Sequence, residues 1–235
     1  MPNHCQNEII IKGPKDKIDS FWNNLHKGEN GEPSFSSMLP MPKVLEGTRA
    51  FPLEDSNGDV PEETLDKWKE YLADEDNDLW TQEYYDAQVK EWREGYERSK
   101  RAKAETGFSG WYEWRISDEN WGTKWGDYET YVRREEPYDW ESAQDYYIIG
   151  SYDTAWSPFA NKFWEQISDR YFGVSFVISY REDGMCFEGS QTFFNGECLF
   201  DECVDINTHH SSAMNSADEA RHAYAEEIAE IKNNV

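Results

Sequence analysis

Three tryptophans and one lysine lie in two short motifs. Tryptophan rings can stack on a flat ligand, and a lysine can contact its phosphate. The first motif is residues 120–125, and the second is residues 154–158. The rings would hold the ligand, the lysine would contact the phosphate, and the aspartate before the second motif is a candidate acid–base group. The predicted ligand site consists of Trp121, Lys124, Trp125, Asp153 and Trp156. The alternative is that the tryptophans pack between a sheet and a helix and fix the turns.

The spacing within the first motif bears on whether one pocket forms. If residues 120–125 form a strand, Trp121 and Trp125 share a face because they are an even number of residues apart. Lys124 then lies on the other face, away from both rings. Asp153 has its own alternative reading, as an exposed residue at the end of a strand.

Negative charge is clustered between positions 54 and 86. The segment holds 13 acidic residues against two lysines, a balance of −11 over 33 residues. A folded array of carboxylates can imitate a phosphate backbone, which carries one charge per ~1.7 Å of duplex axis. Aromatic side chains among the charges supply the anchors that interfaces favour. The predicted partner-binding residues are Asp66, Glu70, Asp74, Glu75, Asp76, Asp78, Trp80, Glu83 and Tyr84. The alternative is a solvated helix face.

Sequence signatures of catalysis are weak. The Walker A, G-x-G-x-x-G, H-E-x-x-H and G-x-S-x-G patterns do not occur in the sequence. Cys198, Cys203, His209 and His210 come nearest to a zinc site, but the cysteines are five residues apart on one predicted strand and so point to opposite faces. We therefore predict no metal, no cofactor and no catalytic residues, and we favour a protein without enzymatic activity.

The whole chain is strongly acidic, with 48 acidic and 23 basic residues and a formal charge of −25. Such a surface repels duplex nucleic acid and anionic membranes, and it attracts basic proteins. Aromatic residues make up 16% of the chain, too many for acidic disorder, so we expect a folded protein. The N-terminus has no signal pattern, and no apolar run approaches the ~18 residues of a membrane span. We therefore expect a cytosolic protein with reduced thiols.

Hydrophobic spacing and turn residues predict the elements of the first half. Residues 8–12 predict a buried strand, and residues 14–28 predict a helix that starts at a proline and ends at a glycine. Residues 33–40 predict an extended piece that its prolines confine to a sheet edge or loop. Residues 60–106 predict a helical hairpin, and residues 131–144 are predicted to be irregular.

The second half has stronger signals. Residues 146–156 predict a strand, after which Ser157 is expected to cap a helix whose first residue is Pro158. Two tight-turn dipeptides divide residues 174–204 into three antiparallel strands. A capping box predicts a terminal helix from Ser216. The order of elements predicts an α+β sandwich with helices on one face of a mainly antiparallel sheet.

Several of these stretches together resemble one known family. They are residues 1–4 with the isoleucine-rich strand that follows, residues 120–125, and residues 154–158 with the helix and strand after them. They resemble the YubB-like family of phage and plasmid proteins, which carry a ferredoxin-like domain. The resemblance covers the N-terminal strand and helix and roughly residues 111–205. It implies a ferredoxin-like fold, a mobile-element origin and no particular reaction.

This fold and the element order together predict the domain organisation. Residues 1–53 and 107–208 are expected to form the ferredoxin-like α+β domain. Residues 54–106 are expected to form an inserted acidic helical hairpin, and residues 209–235 a linker and C-terminal helix.

Three functions remain open from the sequence. The leading prediction is a non-enzymatic phage or plasmid protein in the host bacterial cytoplasm. It would bind a host protein with a basic surface and inhibit a nucleic-acid-binding defence component by charge mimicry. The alternative is a nucleotide-like small-molecule binder, or an enzyme, that uses the three tryptophans. A third possibility is a structural or virion-associated protein.

Overall fold

The computed structural model describes residues 3–26, 31–48, 59–74, 77, 79–135 and 145–206. The chain divides into two compact units, a sheet unit of residues 1–40 and 115–235 and a helical unit of residues 41–114. The predicted insertion at residues 54–106 stays a prediction, because its first residues lie outside the described part. The predicted C-terminal helix also lies outside it.

A six-stranded antiparallel sheet is the framework of the sheet unit. Its strands are β1 His4–Pro14, β2 Tyr128–Glu135, β3 Asp145–Ala155, β4 Ser175–Glu182, β5 Phe187–Phe194 and β6 Glu197–Asp205. The helices of the chain are α1 Lys15–Leu25, α2 Glu62–Ala73, α3 Gln82–Thr106, α4 Trp111–Ile116 and α5 Asn161–Arg170. Ile9 and Ile11 of β1 are buried while Glu8 is exposed, the alternation expected of a strand with one covered face.

The order of the strands identifies the topology. Across the sheet it is β2-β3-β1-β4-β5-β6, with every neighbouring pair antiparallel. The four strands β4-β1-β3-β2, with α1 after β1 and α5 between β3 and β4, form a β-α-β-β-α-β ferredoxin-like arrangement. Strands β5 and β6 extend its edge. The predicted α+β class with a mainly antiparallel sheet is confirmed.

Aromatic side chains fill the space between this sheet and its helices. Phe21 of α1 and Trp164 of α5 both contact Phe176 of β4, with ring centroids 5.4 and 5.7 Å apart. Phe159 stacks on Phe163 at 4.0 Å. All five side chains are fully buried, and each ring removes roughly 150–250 Å² from water. The core therefore lies on the helix-covered face of the sheet.

Two tight hairpins join β4, β5 and β6, and the three predicted strands are confirmed. Asn195 and Gly196 have φ angles of 51° and 85°, the pair of positive values that a type I′ turn requires. The other turn is held by buried Glu182, whose carboxylate accepts the backbone N–H of Gly184 at 3.0 Å and that of Met185. Local turn chemistry therefore sets the register of this half of the sheet.

The prediction of irregular structure from residue 131 is wrong where the structure describes it. Residues 128–135 form β2, which pairs with β3. Alternate side chains of this edge strand are exposed, so it tolerates charged residues and its hydrophobic pattern is weak.

The prediction of an extended piece at residues 33–40 is also wrong. Ser36–Met38 form a 3₁₀ helix instead. The carboxylate of Asp127 accepts the backbone N–H of Phe35 at 2.9 Å and that of Ser36 at 2.7 Å. A carboxylate that binds consecutive N–H groups favours a turn over a strand.

Helices α2 and α3 of the helical unit have few buried residues. None of the residues of α2, all of which are described, is buried, and the buried residues of α3 are Gly95, Ser99 and Ala102. Thr81 caps α3 by accepting the N–H of Tyr84, and α3 ends at Gly107, which has a left-handed φ of 84°. Two helices are thus present where the hairpin is predicted. Among the described residues no helix is both long and apolar enough to cross a bilayer.

The core assignment predicts a large difference between two phenylalanines. Phe163→Ala should lower the free energy of unfolding by ~3–5 kcal/mol, because it leaves a cavity in the aromatic core. Phe172→Ala should change it by less than ~0.5 kcal/mol, because that ring is 65% exposed. Urea denaturation followed by circular dichroism measures both. Equal losses would contradict the assignment.

Candidate functional site

The two tryptophan motifs are joined by hydrogen bonds in the sheet unit. The Thr123 hydroxyl donates to the carbonyl of Ala155 at 2.7 Å and accepts the N–H of the same residue at 3.1 Å. The Ser157 hydroxyl donates to the carbonyl of Gly122 at 2.8 Å. Each motif therefore supplies the polar partners of the other, and the two form one structural element.

Glycine is required at the centre of this junction. Gly122 has φ +70°, which L side chains rarely adopt. A Cβ added there would lie 2.7 Å from the Cβ of Ala160 and 3.0 Å from its backbone nitrogen. The N–H of Ala160 also donates to the carbonyl of Trp121 at 2.9 Å. The first motif thus lies directly against the backbone that leads into α5.

The predicted start of the helix after the second motif is wrong. We expected Ser157 as the cap and Pro158 as the first residue, but α5 begins at Asn161 after Ala160. The Ser157 side chain is used instead in its bond to Gly122, so it does not cap the helix. Among the described residues no side chain caps α5.

Trp121 is a core residue, unlike Trp125, which is exposed. It is 6% exposed, and its indole N–H donates to the carbonyl of Leu39 at 2.8 Å. The guanidinium of Arg115 covers its ring at 5.1 Å. Trp121 therefore packs in the core, as the alternative to a ligand site predicted.

Lys124, Trp125 and Trp156 form a surface group, which we call the tryptophan–lysine cluster. The ammonium of Lys124 lies 5.2 Å from the ring centre of Trp125 and 5.1 Å from that of Trp156, within cation–π range. The expectation that Lys124 lies away from the ring of Trp125 is therefore wrong. Residues 117–125 form turns and bends, so strand alternation does not apply.

Trp156 has an unusual backbone conformation. Its φ is +72°, a left-handed value that is a genuine outlier for a bulky residue. Its N–H donates to the carbonyl of Asn3 at 3.0 Å, which continues the pairing of β3 with β1. A strained backbone conformation persists only where the surrounding contacts hold it in place. Such conformations are concentrated at functional sites.

Asp153 belongs to a polar contact that sequence reasoning missed. His4 Nδ1 lies 3.7 Å from Asp153 Oδ2 and 3.0 Å from the hydroxyl of Tyr128. Burial, reinforced by the charge of Glu129, raises the pKa of Asp153, and burial raises the pKa of Tyr128 to about 12. The ring of Tyr128 lies 6.4 Å from that of Trp125, which links this contact to the cluster. Strand pairing brings these residues together, and no local signal marks it.

The predicted partner-binding residues belong to the helical unit. Asp66 and Glu70 lie on α2 with Asp74 just after it, while Glu83 and Tyr84 lie in the first turn of α3. All five are exposed, and Trp80 is half-buried. The remaining predicted residues lie outside the described part and are Glu75, Asp76 and Asp78.

Aromatic rings connect α2 to the start of α3. Trp80 contacts Trp68 at 6.0 Å, Tyr71 at 5.3 Å and Tyr84 at 5.0 Å between ring centroids. Tyr71 and Tyr84 are both more than 40% exposed, and Leu79 beside them is 81% exposed. We name this the acidic–aromatic surface, and its described members are Asp66, Glu70, Tyr71, Asp74, Leu79, Trp80, Glu83 and Tyr84.

Cys198 and Cys203 lie on the same face of β6, so the prediction that their side chains point to opposite faces is wrong. The register between β5 and β6 shifts before Phe193, which places Cys198 opposite Phe193 and Cys203 opposite Gly189. Such a bulge inserts one extra residue into a strand. Two residues that are five apart on either side of it therefore point to the same face. In the described part of the chain no three His, Cys, Asp or Glu side chains cluster as a metal site, and His209 and His210 lie outside that part.

A match to a known family model supports the fold. Residues 135–227 match the family model described as a ferredoxin-like domain in Api92-like protein. A crystal structure of a protein api92 from Yersinia pseudotuberculosis aligns at 10% identity over 86% of this chain and 98% of that chain, with a TM-score of 0.41. No curated protein matches the chain. The predicted ferredoxin-like domain is confirmed by the family match.

The strained backbone at Trp156 predicts a characteristic pair of substitution effects. Trp156→Gly and Trp156→Ala both remove the indole, but only glycine adopts the left-handed φ without steric cost. The glycine variant should therefore be more stable than the alanine variant by about 1 kcal/mol. Chemical denaturation of the two variants measures this difference. Equal stabilities, or a more stable alanine variant, would contradict strain at this residue.

Proposed function

We propose that this protein binds a basic protein surface through its acidic–aromatic surface and that it has no enzymatic activity. The partner is a host protein, and its basic surface is a nucleic-acid-binding groove of a defence component that the carboxylates block by charge mimicry. This proposal includes an origin in a YubB-like phage or plasmid family and action in the host bacterial cytoplasm.

The observation that carries the proposal is the exposure of large apolar side chains among carboxylates. Tyr71 and Tyr84 are 45% and 43% exposed, and Leu79 is 81% exposed. Aromatic side chains with polar surroundings are the usual anchors of protein interfaces. Carboxylates of the same helices, such as Glu70 and Glu83, are exposed beside them. The surface thus combines an apolar anchor with a charged rim.

Electrostatics explains why the partner would be basic. The chain carries a formal charge of −25, and fields of this kind raise the association rate with oppositely charged partners. Lys67 and Lys69 lie within 4 Å of acidic neighbours on α2, so part of the local charge is balanced. Exposed ion pairs of this type contribute only ~0.2–1 kcal/mol each and break readily when a partner binds.

Charge reversal on this surface provides the test. Immobilised wild-type protein should retain a basic protein from a bacterial lysate at low salt and release it at high salt, because salt screens exposed charges. The double variant Glu70→Lys and Glu83→Lys should bind that protein at least about tenfold more weakly, since close charge pairs at interfaces are worth ~1.5 kcal/mol or more. Titration of the purified protein by calorimetry gives the affinity.

A matched control separates this surface from net charge. Glu197→Lys with Glu202→Lys reverses two exposed charges on β6 and should bind like wild type. Tyr84→Ala, which keeps the charge, should also weaken binding because it removes an anchor. If wild type retains no protein at low salt, or if both double variants bind equally, the proposal is wrong.

A second candidate function is suggested by the position of Lys124. Its ammonium lies against two indole rings, one of them 43% exposed, so a flat anionic ligand would meet rings and a cation together. The candidate is a nucleotide-like ligand bound at Trp125 and Trp156, with Trp121 excluded because it is buried. Asp153 lies on β3 close before Trp156 and would border such a ligand.

Tryptophan fluorescence tests this second function. If it holds, adenosine and guanosine nucleotides should quench the emission saturably, and Trp125→Ala should abolish the quenching because it removes a stacking face. Phe172→Ala, which removes an exposed ring elsewhere in the same unit, should leave the quenching intact. An absence of saturable quenching in wild type rules out nucleotide binding at this cluster.

A further inference from the structure

Two tryptophan rings of the tryptophan–lysine cluster share one cation. The ammonium of Lys124 lies 5.2 Å from the ring centre of Trp125 and 5.1 Å from that of Trp156, so both rings are within cation–π range of the same point. We call these two rings the indole pair. Grouped aromatic rings recognise quaternary ammonium ligands, because the negative face of each ring attracts the positive charge.

Hydrogen bonds fix the backbone on both sides of the indole pair. Thr123, which directly precedes Lys124, bonds through its hydroxyl to the carbonyl and the N–H of Ala155 at 2.7 and 3.1 Å. The N–H of Trp156 donates to the carbonyl of Asn3 at 3.0 Å, which holds the left-handed backbone of the tryptophan. The backbone that carries the two rings is thus preorganised, and preorganisation lowers the cost of binding a ligand.

A third ring and two carboxylates lie beside the indole pair. The ring centre of Tyr128 is 6.4 Å from that of Trp125, with the two rings inclined at 65°. Burial, reinforced by the charges of Asp153 and Glu129, raises the pKa of Tyr128 to about 12, so both carboxylates act on its hydroxyl. Their negative potential favours a cation over an anion next to these rings.

Lys124 is the cation that the indole pair holds in this structure. It directly precedes Trp125 in the chain, so its ammonium competes for the rings at a high effective concentration. Its stem is flexible, and its strongly hydrated head group regains water when it turns into solvent. A ligand with a stronger attraction to the rings can therefore replace it.

Competition with this lysine decides which cation can bind. Another primary ammonium is the same group as the head of Lys124, and it gains nothing that the lysine does not already have. A quaternary ammonium has no N–H groups, so it loses less hydration when it moves against the rings, and its methyl groups contact both indoles. The indole pair therefore favours a quaternary ammonium as the replacing ligand.

We propose that the indole pair binds a quaternary ammonium group. Lys124 competes with this ligand for the same place and moves away from the rings when the ligand binds. The inference is independent of the acidic–aromatic surface. It also makes the opposite demand on Lys124 from nucleotide binding, in which the lysine stays at the site and contacts the phosphate.

Titration of the full chain with choline and with Nε-trimethyl-lysine tests the ligand class, and the two probes distinguish a small ligand from a modified lysine side chain. At least one probe should shift the indole N–H signals of Trp125 and Trp156 saturably in NMR spectra. The neutral isostere of choline, 3,3-dimethylbutan-1-ol, should bind at least about tenfold more weakly, because it lacks the charge that the rings attract. The proposal is overturned if neither probe gives saturable shifts, or if the isostere binds as well as choline.

Substitution of the competing lysine gives the sharper test, because it leaves both rings in place. Lys124→Gln should strengthen binding of the quaternary ammonium probe at least about fivefold, since it removes the cation that occupies the rings. The same variant should weaken any nucleotide binding, so the two functions move in opposite directions. Lys162→Gln, at an exposed lysine of α5, should leave the affinity for the probe unchanged. Unchanged or weaker binding of the probe by Lys124→Gln overturns the proposal.

Discussion

The contact of Gly122 with Ala160 is the constraint on which the organisation of the sheet unit depends. No side chain fits between these residues, since a Cβ at position 122 would lie 2.7 Å from that of Ala160. The contact fixes the first motif against the segment that enters α5, and α5 supplies much of the aromatic core. The tryptophan–lysine cluster is built on this junction, so one close backbone approach positions a candidate site.

The two units use aromatic residues in different ways. In the sheet unit the core rings, such as Phe163 and Trp164, are buried between helices and sheet, where burial itself stabilises the fold. In the helical unit α2 has no buried residue, although all its residues are described. Exposed ion pairs there contribute only ~0.2–1 kcal/mol each, while aromatic contacts add ~0.5–1.5 kcal/mol beyond their burial. The ion pairs of Lys67 and Lys69 lie within α2, whereas the ring of Trp68 contacts Tyr85 and Trp92 of α3 and so joins the two helices.

Sequence reasoning succeeded where the signal was local. The turn dipeptides predicted the hairpins of β4, β5 and β6, and helical spacing predicted the helices on either side of position 80. It failed where distant partners decide the structure. Strand β2 has a weak pattern because its alternate side chains face solvent, and Ser157 resembles a helix cap but bonds to Gly122. Cys198 changes face because of a bulge that no residue type announces.

The sequence by itself determined the α+β class, the clustering of negative charge and the presence of two tryptophan motifs, because composition, turn chemistry and periodicity act over a few residues. Only the tertiary structure decided that Trp121 is core while Trp125 and Trp156 enclose Lys124. It also decided that Asn161 links Gln191 to Asp201 through side-chain hydrogen bonds. These outcomes depend on strand pairing and close packing between residues far apart in the chain, and such contacts leave no local pattern.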